Sequence, residues 1–216
     1  MRNLPGLLVA LATLSLGACS GPRPLPPYEP PLARTDFQNV RTTAYTDSES
    51  DHRQYGNRTA LGNVLRPAPP PIVPRAVPVV QERAFRNPQS DYHNIAYVTR
   101  LQPFQAPEVS NQFCGSAAAD WSRWPAGTVF RIVSTGQLYR VEDYGWALAG
   151  RNTIDLYMSN PRDMNRWGLR QETIEVVQWG DPAESLRRLA PHTKYRHIRR
   201  MVLELEGRDR AAAAMD

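Results

Sequence analysis

Residues 128–158 read TVFRIVSTGQLYRVEDYGWALAGRNTIDLYM, and this stretch decides the fold. It opens with two runs rich in β-branched and aromatic residues, 128–134 and 137–142, which are typical of β-strands. The two runs are joined through Thr135-Gly136, and a short connection that contains glycine predicts a hairpin. The stretch therefore predicts a fold made mainly of short β-strands.

The end of the same stretch, Thr153–Met158, predicts a further strand with an acid near its centre. Asp155 stands between Ile154 and Leu156, and successive side chains of a strand point to opposite faces. The two apolar side chains are expected to face the core, so the Asp155 carboxyl faces the other way. That other face is either open solvent or the wall of a cleft.

Outward from this stretch, the chain predicts further strands and then helices. The runs 39–46 and 172–179 predict an early strand and a closing strand. A short helix is expected to begin at Asn160-Pro161, because Asn caps helices and Pro suits their first position. The Asp-Pro-Ala-Glu start of 181–190 predicts a helix with a capping-box acid, and the apolar face of 195–205 predicts another. This order favours a β-barrel with appended C-terminal helices.

The composition excludes several classes of protein. The chain has 216 residues, of which 41% are hydrophobic and 22% charged, so one globular domain with tails is expected. No apolar run reaches the length of about 18 residues that a transmembrane helix needs. The chain has two cysteines and no HExxH or cysteine-pair spacing, so no metal or cofactor is expected. Asp51-His52 and His93 are interpreted as solvated loop residues.

The N-terminus predicts export. Residues 1–18 combine Arg2 with a short apolar stretch and fit a signal peptide. The quartet Leu16-Gly17-Ala18-Cys19 resembles a lipobox, which predicts cleavage before Cys19 and a lipid anchor on its thiol. An ordinary secretory signal is the alternative. Ser20 after the cysteine favours the outer membrane, facing the periplasm, and nucleic acid is a poor partner for an exported protein.

Proline-rich segments divide the rest of the chain. Residues 19–38 predict a disordered, extended tether, and residues 39–180 are assigned to the barrel. A second proline-rich stretch inside that domain, about 66–110, is interpreted as an insertion, with 95–99 as a candidate short strand. Residues 181–216 form the C-terminal helical segment. Cys114 is expected to be a small buried side chain, with a catalytic thiolate as the alternative.

Two further aspartates stand in distinctive surroundings. Asp120 precedes Trp121 and is followed by Pro125-Ala126-Gly127-Thr128, and Asp143 begins Asp143-Tyr144-Gly145. The chain also contains Gly150, Ile154-Asp155-Leu156-Tyr157, Thr43-Ala44-Tyr45, Trp167-Gly168 and Trp179-Gly180. Together these motifs resemble the 3D domain, a family named for three aspartates. One departure lies after Asp143, where many members have Thr-Gly-Gly and this chain has Tyr144-Gly145-Trp146.

The resemblance implies a six-stranded double-psi β-barrel like that of the catalytic domain of membrane-bound lytic transglycosylase A and of resuscitation-promoting-type cell-wall enzymes. It also implies a lytic transglycosylase, a lyase that acts in peptidoglycan turnover. The bond would be the β-1,4 link between N-acetylmuramic acid and N-acetylglucosamine, with a 1,6-anhydro product.

The resemblance gives Asp155 its role, and the roles of the other candidate residues are hypotheses from their charge and position. Asp155 matches the general acid/base, and Asp143 is expected to raise the pKa of Asp155 and to orient substrate. Asp120 is expected to be structural or substrate-binding. Thr43 and Tyr45 are expected either to hydrogen-bond near the cleft or to pack as ordinary strand residues.

Tyr144 is a further candidate substrate-binding or structural residue, because its bulk next to Asp143 would reshape the cleft. The alternative function is a non-catalytic lipoprotein of the same fold that binds peptidoglycan or another wall polysaccharide. Peptidoglycan glycan strands are the expected partner in both cases.

Overall fold

The computed structural model describes residues 23–49, 56–71 and 114–215. In these ranges the strands are β1 Phe37–Tyr45, β2 Gly115–Ala119, β3 Val129–Ile132, β4 Leu138–Asp143, β5 Thr153–Tyr157 and β6 Arg170–Gln178. The helices are α1 Pro161–Trp167, α2 Pro182–Leu189, α3 Arg196–Leu205 and α4 Asp209–Ala213. Short 3₁₀ turns occupy Trp146–Leu148 and Ala190–His192.

The six strands close into one barrel in the order β1-β5-β2-β4-β3-β6, with β6 paired back to β1. The β1–β5 and β2–β4 pairs are parallel, and the other four pairs are antiparallel. The helices α2, α3 and α4 follow the last strand. The predicted mainly β barrel with C-terminal helices is therefore confirmed.

The predicted hairpin is the β3–β4 pair. These strands are antiparallel, and Gly136 lies between them with a φ of 70°, a conformation that glycine adopts without steric cost. The β5 strand and the α1 helix also form where the sequence places them. Asn160 caps α1 by accepting from the backbone N–H of Asp163 at 3.0 Å.

The barrel interior is filled by one face of each strand. Ile154 and Leu156 are fully buried there, as strand alternation predicts. The rings of Phe130 and Tyr139 stack with centroids 5.8 Å apart across the β3–β4 pair. A fully buried aliphatic or aromatic side chain contributes about 1.5–3 kcal/mol, so this interior is the main source of stability.

The helix α2 begins as predicted, with one difference. Asp181 caps it by accepting from the Ala183 N–H at 2.8 Å, and Pro182 occupies the first turn. Glu184, the predicted capping-box acid, accepts instead from Arg187 and Arg188 one turn further along the helix. These charged partners on the same exposed face compete with the backbone N–H for the carboxylate.

The segment before β1 differs from the predicted tether. Leu25 and Pro26 are buried, and the Glu29 N–H donates to the Gly150 carbonyl at 2.8 Å. The Glu29 carboxylate accepts from Arg41 at 2.9 Å and from the Asn152 N–H at 2.8 Å. Hydrogen bonds and apolar burial therefore dock residues 25–29 onto the domain, and β1 already begins at Phe37. The prediction of a disordered tether through residue 38 is wrong for this docked stretch.

Several predictions lie outside the described residues. They are the signal peptide with Cys19, the part of the insertion from residue 72 to 110 including the candidate strand 95–99, Asp51-His52, and His93. None of the helices in the described ranges is long and apolar enough to cross a membrane.

Candidate functional site

Four strands place Thr43, Asp155, Ala118 and Asp143 side by side, a set that we call the aspartate row. Thr43 on β1 pairs with Asp155 on β5, Asp155 pairs with Ala118 on β2, and Ala118 pairs with Asp143 on β4. Paired residues project from the same face of a sheet. This face is opposite to that of Ile154 and Leu156, so the row lies on the outside of the barrel. Two strand spacings separate the Asp143 and Asp155 backbones by roughly 10 Å, with only the small Ala118 side chain between them.

A β-bulge brings Asp143 into this row. Ala117 pairs with Val141 and Ala118 pairs with Asp143, so Glu142 is an extra residue on β4. Without the bulge, strict alternation would turn Asp143 toward the barrel interior, on the same face as the buried Val141. The bulge therefore gives the outer face two adjacent carboxylates from β4.

Asp155 is partly accessible but mostly surrounded by protein, and it is the least buried residue of β5. Burial raises the pKa of its carboxyl from 3.8 to about 7, because a charged carboxylate loses hydration there. The charges of Glu49 and Asp143 add to the increase in the pKa. The Thr43 hydroxyl donates to Asp155 Oδ1 at 2.8 Å, which lowers the pKa. Asp155 can therefore hold or release a proton near neutral pH.

Tyr45 faces both carboxylates. Burial raises the pKa of its hydroxyl well above the usual value of 10, and the charges of Asp143 and Asp155 raise it further. The phenol therefore stays neutral. Its ring meets Tyr157 edge to face, with centroids 5.6 Å apart. The structure thus brings Tyr45 together with Thr43, Asp143 and Asp155.

Apolar side chains border the aspartate row on the outside of the barrel. Tyr45, Leu65, Ala118, Leu148 and Tyr157 form a buried cluster separate from the barrel interior. Leu65 and Leu148 come from connecting segments and lie over the strands. This cluster explains why an acid on the outer face of a barrel loses so much of its hydration.

Asp120 lies two residues beyond Ala118, and its carboxylate hydrogen-bonds to residues outside the aspartate row. It is fully buried, and its Oδ1 accepts from the Ser122 N–H at 2.8 Å while its Oδ2 accepts from the Gly150 N–H at 2.5 Å. Arg123 lies 3.9 Å from Oδ2. These contacts hold the loop after β2 against the Gly150 turn, which is a structural position.

The backbone and the ring of Tyr144 contact different parts of the molecule. Its backbone N–H donates to Asp143 Oδ1 at 2.9 Å, which helps to orient that carboxylate. Its ring packs edge to face on Trp121, with centroids 4.9 Å apart, and lies 6.3 Å from the His197 ring of α3. The ring is therefore used to attach the β4 end to α3.

Two acidic residues near the site were missed by the sequence reasoning. Glu49 lies in a polar turn after β1, and nothing in the local pattern distinguishes it from a solvated loop acid. Glu142 stands beside Asp143 in the motif, but strand alternation assigns the two to opposite faces. Only the bulge, which a single sequence does not reveal, places both on the outer face.

Among the described residues, no group of three or more His, Cys, Asp or Glu side chains is arranged to hold a metal ion. Comparison with known protein families gives no match for this chain, and no curated protein matches it.

Proposed function

We propose that the protein is a peptidoglycan lytic transglycosylase of the 3D-domain type. The observation that carries the proposal is the Asp155 carboxyl, whose pKa lies at about 7 on an outer, partly covered face of the barrel. A general acid works best when its pKa is close to the working pH. A solvated strand acid would be ionised at neutral pH and could not donate a proton.

The proposed reaction uses Asp155 twice. First, the protonated carboxyl gives its proton to the glycosidic oxygen as the bond from that oxygen to the anomeric carbon of N-acetylmuramic acid breaks. Second, the resulting carboxylate takes the proton from the 6-hydroxyl of the same sugar as that oxygen bonds to the anomeric carbon. A 1,6-anhydro ring forms, no water is consumed, and Asp155 ends protonated as it began.

The neighbours of Asp155 have defined parts in this proposal. The Asp143 carboxylate raises the pKa of Asp155 and offers a negative charge beside the cationic anomeric centre. The Thr43 hydroxyl fixes the Asp155 rotamer through Oδ1, which leaves Oδ2 for the proton. Tyr45, neutral and adjacent to both carboxylates, is a candidate donor to sugar oxygens.

The proposal also includes a double-psi topology for the barrel and a lipid anchor in the outer membrane. Two parallel strand pairs, β1–β5 and β2–β4, in a closed mixed barrel support the double-psi assignment. The lipobox-like Leu16–Cys19 supports a lipid anchor on Cys19, and Ser20 supports the periplasmic face of the outer membrane. Peptidoglycan is within reach of a protein anchored there.

The test is digestion of purified sacculi followed by mass analysis of the soluble products. The wild-type protein is expected to release 1,6-anhydro muropeptides. Asp155→Asn is expected to lower the rate by about 10²–10⁴-fold, the usual contribution of a general acid. Asp36→Asn, which neutralises an exposed acid just before β1, is the matched control and should keep the wild-type rate.

The products also separate the competing functions. Products with reducing ends would indicate a hydrolase that uses Asp143 and Asp155 as a carboxyl pair. Sacculus binding without any soluble product would indicate the alternative, a non-catalytic wall-binding protein. Full activity of Asp155→Asn would exclude the proposed role of this residue.

A further inference from the structure

Glu142, the extra residue of the β4 bulge, is a buried carboxylate with three polar partners. Its side chain is 1% exposed. Oε1 accepts from Asn63 Nδ2 at 3.0 Å and from the Arg66 guanidinium at 3.1 Å, and Oε2 accepts from the Ser116 hydroxyl at 2.9 Å. A buried charge is tolerated only when its oxygens are satisfied in this way.

These partners join β2 and β4 to a segment that carries no strand of the barrel. We call residues 56–66 the strap. Besides its two side-chain bonds to Glu142, the strap donates from the Leu61 N–H to the Glu142 carbonyl at 3.3 Å. Two hydrogen bonds join the Arg66 backbone to Ser116. The Ser116 N–H donates to the Arg66 carbonyl at 2.7 Å, and the Arg66 N–H donates to Ser116 Oγ at 3.1 Å.

The strap carries Leu65 to the aspartate row. Leu65 is 6% exposed and packs in the cluster that contains Ala118, Tyr45 and Tyr157. Ala118 lies between Asp143 and Asp155 in register. The next residue of the strap, Arg66, is tied to Glu142. The same carboxylate thus fixes both the bulge that aims Asp143 outward and the segment that covers the row.

We propose that Glu142 is a positioning residue of the candidate site: it clamps the strap over the aspartate row, so that Leu65 desolvates the row while the bulge holds Asp143 beside it. The consequence for catalysis rests on the proposed function, whereas the clamping itself does not. Release of the clamp admits water to Asp155, which favours its charged form and lowers its pKa.

The groups that face Asp155 set the size of this change. They are Thr43 and Tyr45 on β1, Glu49 in the turn after β1, and Asp143 on β4. Glu49 and Asp143 raise the pKa of Asp155, and neither belongs to the strap. In Arg66→Gln these two acids and Glu142 are all retained, so a fall in the pKa of Asp155 in that variant reports restored hydration and not a lost acidic neighbour.

The experiment titrates Asp155 by carbon-13 NMR of aspartate carboxyls, with the signal assigned by its loss in Asp155→Asn. Two variants, Glu142→Gln and Arg66→Gln, break the clamp from opposite sides and change the charge in opposite directions. Removal of the charge alone would lower the pH midpoint of the Asp155 titration in Glu142→Gln and would raise this midpoint in Arg66→Gln. Release of the strap lowers the midpoint in both, by about one pH unit.

Glu175→Gln is the matched control, because Glu175 is also a strand glutamate paired with an arginine, Arg131, at 2.7 Å. It lies on β6 and should leave the Asp155 midpoint unchanged. If Glu142→Gln does not fold, Leu65→Ala removes the cover without touching the clamp and should also lower the midpoint. An unchanged midpoint in Leu65→Ala, or a raised midpoint in Arg66→Gln, would overturn the proposal.

The activity arm follows the pH profile of anhydro-muropeptide release, whose alkaline limb is expected to move to lower pH in both clamp variants. The NMR arm needs no activity. A wild-type protein that releases no product would therefore contradict the proposed function, while the titration would still decide on the clamp.

Discussion

The burial of Asp155 raises the pKa of its carboxyl, which suits the proposed chemistry but lowers the stability of the folded protein near neutral pH. Its pKa in the folded protein is about 7, and the ordinary value of 3.8 applies to the unfolded chain. Between these two pH values the folded protein binds more protons than the unfolded chain. The contribution of Asp155 to stability is therefore greatest below about pH 4, and it falls as the pH rises through 7.

This sign gives a prediction for the free energy of unfolding. At pH 8, Asp155→Asn is expected to stabilise the protein by about 1–3 kcal/mol, since the amide carries no charge to desolvate and can still accept from Thr43. At about pH 3, where Asp155 is protonated in both the folded and the unfolded chain, the difference should nearly vanish. Urea unfolding at the two pH values measures it, and equal effects at both would show that Asp155 is not desolvated as described.

The sequence could predict the face of Asp155 but not its hydration. Alternation with Ile154 and Leu156 is a local pattern, and the outward carboxyl follows from it. The cover over that face comes from Leu65, which is distant in the chain, and from Leu148 in the short turn before β5, and neither carries a periodic signal. Asp143 needed a bulge to reach the same face, so its position was set by pairing with β2 and not by its own strand.

At the scale of secondary-structure elements, Gly180 lies in the short connection between β6 and α2, where the chain packs closely on another backbone segment. A Cβ at this position would lie 2.3 Å from the Ala126 carbonyl oxygen and 2.5 Å from that of Pro125. Both are backbone atoms of the turn before β3, which cannot move without disturbing the barrel. Gly180→Ala is expected to lower the free energy of unfolding by about 2–3 kcal/mol, measured by urea unfolding.

Gly145→Ala is the control for this prediction. Gly145 has a φ of −139°, which any residue adopts, and its added Cβ would meet only Leu148 side-chain atoms at 3.4 Å or more. A change of less than about 0.5 kcal/mol is expected there. Equal losses in the two variants would mean that the close backbone approach at Gly180 is not the cause.

The elements that could be predicted are those whose first residues or turns have characteristic sequences. The helices α1 and α2 begin at an Asn or Asp cap followed by proline, and the hairpin turns at Gly136. The docked segment around Glu29 was not predictable, because its prolines favour an extended chain whether or not that chain has a surface to pack on. Its partners, Gly150 and Asn152, lie far along the sequence.

At the scale of the whole molecule, Arg200 joins three parts of the chain. It is fully buried in α3, and its Nη1 donates to the Pro26 carbonyl at 2.7 Å and to the Ala149 carbonyl at 3.3 Å. Arg200→Leu leaves both carbonyls without this donor and should lower the free energy of unfolding by about 2–4 kcal/mol. The docked segment should also become sensitive to limited proteolysis.

Arg199→Leu is the matched control, since Arg199 is exposed on the neighbouring position of α3. It should leave both stability and the proteolysis pattern close to those of the wild-type protein. Faster cleavage near residues 25–29 in both variants would argue that Arg200 does not hold the segment.

The pairing of β1 has a consequence for biosynthesis. Both neighbours of β1 lie far downstream, and Thr43 is separated from Asp155 by 112 residues. A ribosome that adds about 5–20 residues per second needs on the order of ten seconds to cover that interval. During this time the nascent first strand has no native partner, so any chaperone that binds the chain would receive this strand still unpaired.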